Sequence, residues 1–459
     1  MTVLHIFGIA LSLISMVALS IYSGKVARKS EGLSAKEVAG SIMGTLVGGS
    51  STVGTAQLAY SFGMSAWWFT LGSGIACLIL ALLFAKPLHK SGHKTLIEFI
   101  SDKYGSKNGL IASVLSSLGS FINIISQLVA ATAIIAVVAP DLPVIPSLLI
   151  SAAFMALYVI FGGTKGSGLV GILKMLLLYV SMLASGILVL IISKGMAGFT
   201  QLVGSIDNPS NVNFGSLFAR GVGTDLGAML SLVLGVITTQ SYAQPIFAAK
   251  NTKSATRGAL FSAALIPVVG IGGILVGLYM RATAPGISPK TALTLFVTQN
   301  MPPLLSGIVL GALFIAVVGT GAGLALGIST VIRRDILTPL IKKKGRILLD
   351  KTVERILIVA LLFSACAFCI GPFGDTILKF AFMSMGLRGA TLFAPLCFAL
   401  WHKGDIDRGY VGAAIVVGPV SVLIFELWDI LPFDPLFAGV AISLGIMFLG
   451  RFLKRKKSH

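Results

Sequence analysis

Charge is what this chain has least of: only 11% of its 459 residues are Asp, Glu, Lys or Arg. Acids are the scarcer half, 16 against 35 basic residues, for a formal net charge of +19. A soluble domain carries charge on about a quarter of its residues, so the shortage excludes a soluble enzyme or binding module. Cysteine is nearly absent too. Cys77, Cys366, Cys369 and Cys397 all lie in apolar segments, and the CAFC pair at 366 and 369 has no second Cys or His cluster to complete a metal or redox site. The apolar segments hold no HExxH, no paired carboxylates and no Ser/His arrangement, and His5, His89, His93, His402 and His459 fall at segment ends or in tails. No enzyme, organic cofactor or nucleic-acid partner is expected, because the basic residues form no aromatic-interleaved patch on a soluble domain.

What the chain has is apolar residue: 56% is hydrophobic and the mean hydropathy is +0.96. A hydrocarbon core of about 30 Å needs about 20 apolar residues per helix. Hydropathy and loop charge place roughly thirteen spans, at 3–23, 37–62, 65–85, 110–139, 144–161, 168–193, 222–249, 258–281, 304–331, 354–371, 376–401, 409–428 and 434–452. The first run, Val3–Tyr22, is too long for a signal-peptide core and lacks an A-x-A site, so it reads as a span. Roughly 28 of the 35 basic residues fall in alternate loops, among them Lys25–Lys36, Lys86–Lys107, Lys250–Arg257, Arg333–Arg355 and the tail from Arg451. The intervening loops carry Asp141, Asp207, Asp375, Asp429 and Asp434. This asymmetry predicts a multi-pass protein of the cell membrane, N-terminus outside and C-terminus inside, whose surroundings are the lipid bilayer. Three connecting stretches read as amphipathic pieces lying on the surface: Lys94–Gly105, FTQLVGSI (199–206) and NFGSLFA (213–219).

Two of the spans undermine their own helices. Gly48–Thr55 (GGSSTVGT) puts glycine and hydroxyl residues at a depth where leucine is usual. Glycine weakens a helix, and Ser or Thr hydroxyls compete for its backbone bonds. A freed carbonyl in lipid must find a partner in protein or in a wet cavity. The span at 222–249 is interrupted likewise, by Gly235, the run Thr238–Ser241 (TTQS) and Pro245. Five spans separate the two interruptions, the layout of inverted repeats whose broken helices bind ions and substrates. Small-residue packing between helices is the plainer alternative. The expected fold is therefore an all-α integral membrane protein, one polytopic domain over 1–459. It comprises an extra helix at 1–24, repeat one at 36–193, repeat two at 222–401 and C-terminal helices with a basic tail at 408–459.

Five segments, in order, resemble the sodium:solute symporter family, which has the LeuT-like 5+5 fold. SSTVGTAQLAYSFGMSAWW (50–68) resembles that family's first core helix. TLIEFISDKYG (95–105) resembles its inner loop, and YVIFGG, ending at Gly163, the close of its fourth core helix. QSYAQPIFAAKNTKSATRG (240–258) and AVVGTGAGLALGISTVIRRDI (316–336) complete the set. The resemblance implies a secondary active transporter, a cation-coupled symporter of a small organic solute working by alternating access. It also implies a sodium ion held by the carbonyls of Gly44, Val47 and Ala316 and by hydroxyls at positions 319 and 320. Thr320 supplies one hydroxyl; position 319, a serine in the family, is glycine here. On the fifth core helix the family's Asp and Gln positions are Gly171 and Lys174, so an acid is lost and a lysine gained on one face.

Ionisable groups at such depth are expensive and usually functional. Lys174 is thus a coupling candidate that replaces the ion, making transport proton-coupled or sodium-independent; alternatively its stem snorkels to the headgroups. For the solute, the resemblance points to Ser50, Ser51, Thr70, Ser73 and Gln240, with back-bonding of the Ser50–Thr52 hydroxyls to their own helix as the structural alternative. Arg388, mid-span in MSMGLRGATLF, either grips a substrate carboxylate bidentately, favouring a carboxylate or amino acid, or holds backbone carbonyls. A channel is disfavoured by the lack of a filter-like repeat, and a non-transporting, transporter-like sensor would need a separate partner. A homo-oligomer is left open.

Overall fold

A computed structural model describes the chain apart from residues 1, 27–31, 163–166, 207–211, 338–349, 371–376, 403–405, 429–430, 432 and 458–459. Among the described residues the regular structure is helical, with one isolated bridge between Leu33 and Ala249. The order is α1 (Val3–Val26), α2 (Ala35–Leu46), α3 (Thr55–Phe62), α4 (Trp68–Ile79), α5 (Ala85–Lys90), α6 (Leu96–Tyr104) and α7 (Ser106–Val138). Then come α8 (Val144–Gly162), α9 (Ser167–Ile192), α10 (Gly195–Gly204), α11 (Val222–Thr238), α12 (Gln240–Phe247), α13 (Thr252–Thr283) and α14 (Ala292–Asn300). The chain closes with α15 (Pro303–Val331), α16 (Asp350–Cys369), α17 (Ile377–Trp401), α18 (Arg408–Leu427) and α19 (Pro435–Lys457). Nine helical stretches among the described residues are long and apolar enough to cross a membrane, or ten with the bent pair α11–α12 counted as one span.

Both interruptions read from the sequence are present. Helix α2 ends at Val47, whose ψ of 103° is extended; the chain resumes as a π turn over Ser50–Gly54 and continues into α3. The unwound part is therefore shorter than the Gly48–Thr55 run, because the hydroxyls of Ser51 and Thr52 both donate to Gly48 O and restart the helix. The second break is one residue wide. Helix α11 stops at Thr238, Thr239 is extended at ψ 125°, and α12 leaves at 45°.

Helix α6 lies where an interfacial helix was expected, and α10 covers most of 199–206. Residues 213–219 differ from expectation: they form turns, not a helix. Their carbonyls are spent on α4 and its approach, Phe214 O accepting from Met64 N and Leu217 O from the Trp68 indole. Gly63, at φ +59°, allows that close approach.

On the side of the basic loops a short bridge joins two segments of the core. Leu33 N donates to Ala248 O and Lys250 N to Leu33 O, each at 2.9 Å, tying the entry of α2 to the exit of α12. Towards the acidic loops a cavity of about 1010 Å³ opens between Leu58, Arg220, Phe382, Lys379, Glu426 and Asp434. On its wall Phe382 meets Phe69 edge-on and the Arg220 guanidinium lies over the Phe382 ring. Asp225, in the first turn of α11, is fully buried and paired with Arg220 at 2.6 Å.

Candidate functional site

The Lys174 amine lies at the first break. Lys174 is 3% exposed, and its Nζ donates to Gly44 O at 2.6 Å and to Thr320 Oγ1 at 2.7 Å. It does not snorkel: the stem runs inward, from α9 to the end of α2 and the middle of α15. Small residues allow this. A side chain at Gly171 would strike the carbonyl of Gly40, and one at Gly44 would meet Gly171 Cα at 2.8 Å. Helices α2 and α9 thus cross backbone to backbone, the small-residue contact of membrane helices. Gly319 sits at the same point, and a Cβ there would be 3.7 Å from Nζ and 3.6 Å from the Tyr158 hydroxyl. The three departures at 171, 174 and 319 meet at one place: Gly171 lets α2 and α9 close, and the lysine amine lies within van der Waals reach of Gly319. An aspartate at 171 has no room, so Gly171→Asp should unseat α9 and destabilise the protein by about 1–3 kcal/mol, as overpacking does, read as a lower Tm.

A sodium ion needs a cage of oxygens, and the residues here do not fit one. Of the five positions the resemblance supplies, Gly44 O and Thr320 Oγ1 already accept from an amine, and Gly319 has no side-chain oxygen. Val47 and Ala316 are fully buried alongside.

The sequence reading missed the bracket that holds the unwound segment. Gln127, on α7, accepts from Gly49 N at 2.9 Å through Oε1; its Nε2 donates to Ser50 Oγ and to Asn123 Oδ1. Ser126 donates to Ile377 O at 2.8 Å and shares a bond with Ser50. The signal was there: Asn123, Ser126 and Gln127 make a polar stripe at helical spacing inside an apolar span.

The remaining positions are dispersed. Ser51 bonds the backbone of Gly48, while Thr70 and Ser73 donate to carbonyls of their own helix, at Trp67 O and Phe69 O. Gln240 points towards the basic side, where it accepts from Leu96 N at 2.8 Å and holds the start of α6.

Arg388 is fully buried in α17. Its Nε donates to Ser384 O at 3.0 Å and Nη2 to Ser384 Oγ at 2.8 Å, whereas Nη1 has no partner among the described residues. The Tyr242 hydroxyl and the Met385 sulfur are its other polar neighbours. Among the described residues no carboxylate pairs with this guanidinium, and the buried Asp225 is held by Arg220.

Residues 30–416 match the model of the sodium:solute symporter family. The human high affinity choline transporter 1 is 24% identical over 81% of this chain and 66% of its own length. The sodium/pantothenate symporter of Escherichia coli is 22% identical over 88% and 85%. The chain thus spans slightly less than two thirds of the choline transporter. Among solved structures, a Na+-coupled sialic acid symporter in a substrate-bound outward-open state superposes with a TM-score of 0.74 at 16% identity, covering 98% of this chain and 96% of that one. Mhp1 in an inward facing conformation gives 0.61 at 15%, over 93% and 92%. A family match over most of the chain and a shared fold agree with the broken helices and their neighbours: the chain belongs to the sodium:solute symporter family.

Proposed function

We propose that this protein is a secondary carrier of a small organic solute in which the amine of Lys174 stands where a coupling sodium would bind. Coupling is then to protons, or transport is sodium-independent. The observation that carries this reading is the Lys174 bridge from Gly44 O to Thr320 Oγ1. It joins α9 to α2 and α15 at the place where an ion would otherwise neutralise the end of an unwound helix. The thirteen spans, the 5+5 repeats over 36–193 and 222–401, the outside N-terminus and the inside C-terminus belong to the same reading. On it the bridge of Leu33, Ala248 and Lys250 lies on the cytoplasmic side and the large cavity faces outwards.

The solute class follows from charge. Two buried basic residues, Lys174 and Arg388, stand in the core, and the buried Asp225 is taken by Arg220. An unanswered guanidinium in low dielectric attracts a carboxylate strongly. A carboxylate or amino acid is therefore favoured over a quaternary ammonium such as choline, because the buried charges that no carboxylate balances, Lys174 and Arg388, are both basic. Uptake into proteoliposomes tests coupling. Accumulation of the solute should persist when sodium is replaced by N-methylglucamine on both sides; strict dependence on a sodium gradient would overturn the reading. Absence of any saturable uptake would favour a sensor.

A further inference from the structure

On the basic side, away from the transport core, α6, the start of α18 and the end of α19 enclose a pocket of about 410 Å³. It is lined by Lys103, Tyr104, Ile406, Asp407, Arg408 and Lys454. Its base is built rather than incidental. Tyr104 is buried and donates to Pro395 O, and Asn108 fixes the corner by donating to Tyr104 O and to Arg408 O at 2.8 Å. The Arg408 side chain lies across Gly105, whose φ of +93° turns α6 into α7. The one acid, Asp407, is occupied as the N-cap of α18, accepting from Gly409 N at 2.8 Å. Arg451, one turn before Lys454, adds a further cation. Burial, then Arg451 and Lys103, hold the imidazole of His402 below its ordinary range.

Next to these cations the surface of α19 is apolar. Phe448, Leu449 and Phe452 on α19 are each more than half exposed, and so is Trp401 at the end of α17. Trp at a span end marks the headgroup level. A cationic pocket at that level with an uncovered apolar wall above it fits one kind of ligand, an anion that carries acyl chains. We propose that this pocket binds the phosphate headgroup of an anionic phospholipid, with Lys103, Arg408 and Lys454 around the phosphate and the acyl chains along Phe448, Leu449 and Phe452. This site is independent of the coupling ion and of the transported solute.

The full chain, purified in phosphatidylcholine nanodiscs, should gain thermal stability when phosphatidylglycerol is added, and none from more phosphatidylcholine or from millimolar inorganic phosphate. Neutralising Lys103, Arg408 or Lys454 to Gln should weaken apparent phosphatidylglycerol affinity about five-fold per residue. Lys253→Gln with Arg257→Gln, in another basic loop, should leave it unchanged. Equal effects of the two variant sets would overturn the proposal in favour of general surface potential, and equal stabilisation by inorganic phosphate would make it a free-anion site. Should the pocket variants fail to fold, native mass spectrometry of the wild type in mixed lipid decides: retained phosphatidylglycerol supports the site, and no preference over phosphatidylcholine sinks it.

Discussion

Removing the lysine and restoring the serine, Lys174→Ala with Gly319→Ser, is expected to turn a sodium-indifferent protein into one that sodium stabilises. The wild type should show no sodium-specific change in Tm, because an amine already donates to Gly44 O and Thr320 Oγ1. Lys174→Ala alone forfeits both bonds, and hydrogen bonds to a charged group contribute about 1.5–3 kcal/mol each. It also relieves the burial of an amine, so a moderate loss of stability is expected, together with loss of coupled uptake. The added serine places a hydroxyl where the Cβ has room, 3.6 Å from the Tyr158 oxygen and at the position the amine has vacated. The oxygen set is then complete. An ion at a hundred times its Kd stabilises by about 2.7 kcal/mol, which a thermal-shift titration with sodium against potassium reads directly. A sodium-dependent shift in the wild type, or none in the double variant, would show that Lys174 does not stand in for the ion.

The second large effect concerns Arg388. Arg388→Met should leave the protein folded with an unchanged or higher Tm, while abolishing binding of the anionic solute. A guanidinium with a bare Nη1 and no carboxylate in reach is an uncompensated buried charge, and apolar replacements of buried ions are often neutral or stabilising. Ser384 keeps its bond to Gly119 O at 2.6 Å, and the polar group that loses its neighbour is the buried Tyr242 hydroxyl. The lost grip on a carboxylate should amount to about 2–5 kcal/mol of affinity, measured by calorimetry with a panel of small acids. Arg388→Lys should not restore it, because a point charge does not reproduce the two-pronged contact. Unfolding of the methionine variant, with recovery in the lysine variant, would instead assign Arg388 to holding α17.

The breaks were legible in the sequence because their cause is local. Gly48–Thr55 and Thr238–Ser241 contain residues that weaken a helix wherever they stand, and both sites unwind. The turns at 213–219 were not legible as turns. Their apolar residues suggested a surface helix, but Phe214 and Leu217 give their carbonyls to Met64 and Trp68, partners about 150 residues away. Gln127 was visible as a polar residue in an apolar span, yet its task depends on Gly49 and Ser50 lying opposite.

Lys174 marks the boundary between the two kinds of information. Sequence by itself determined that the chain is a membrane protein and where its helices break, which follow from hydropathy and backbone propensity, properties of a chain read in one dimension. The lost acid and hydroxyl and the gained lysine showed only against the family that the chain resembles. Sequence left open whether the amine reaches out to the headgroups or in to the core, since a four-carbon stem serves either. Only the tertiary structure decided that. The glycines at 40, 44 and 171 bring α2 and α9 into backbone contact, and the inward direction is then the one that offers the amine two oxygen acceptors.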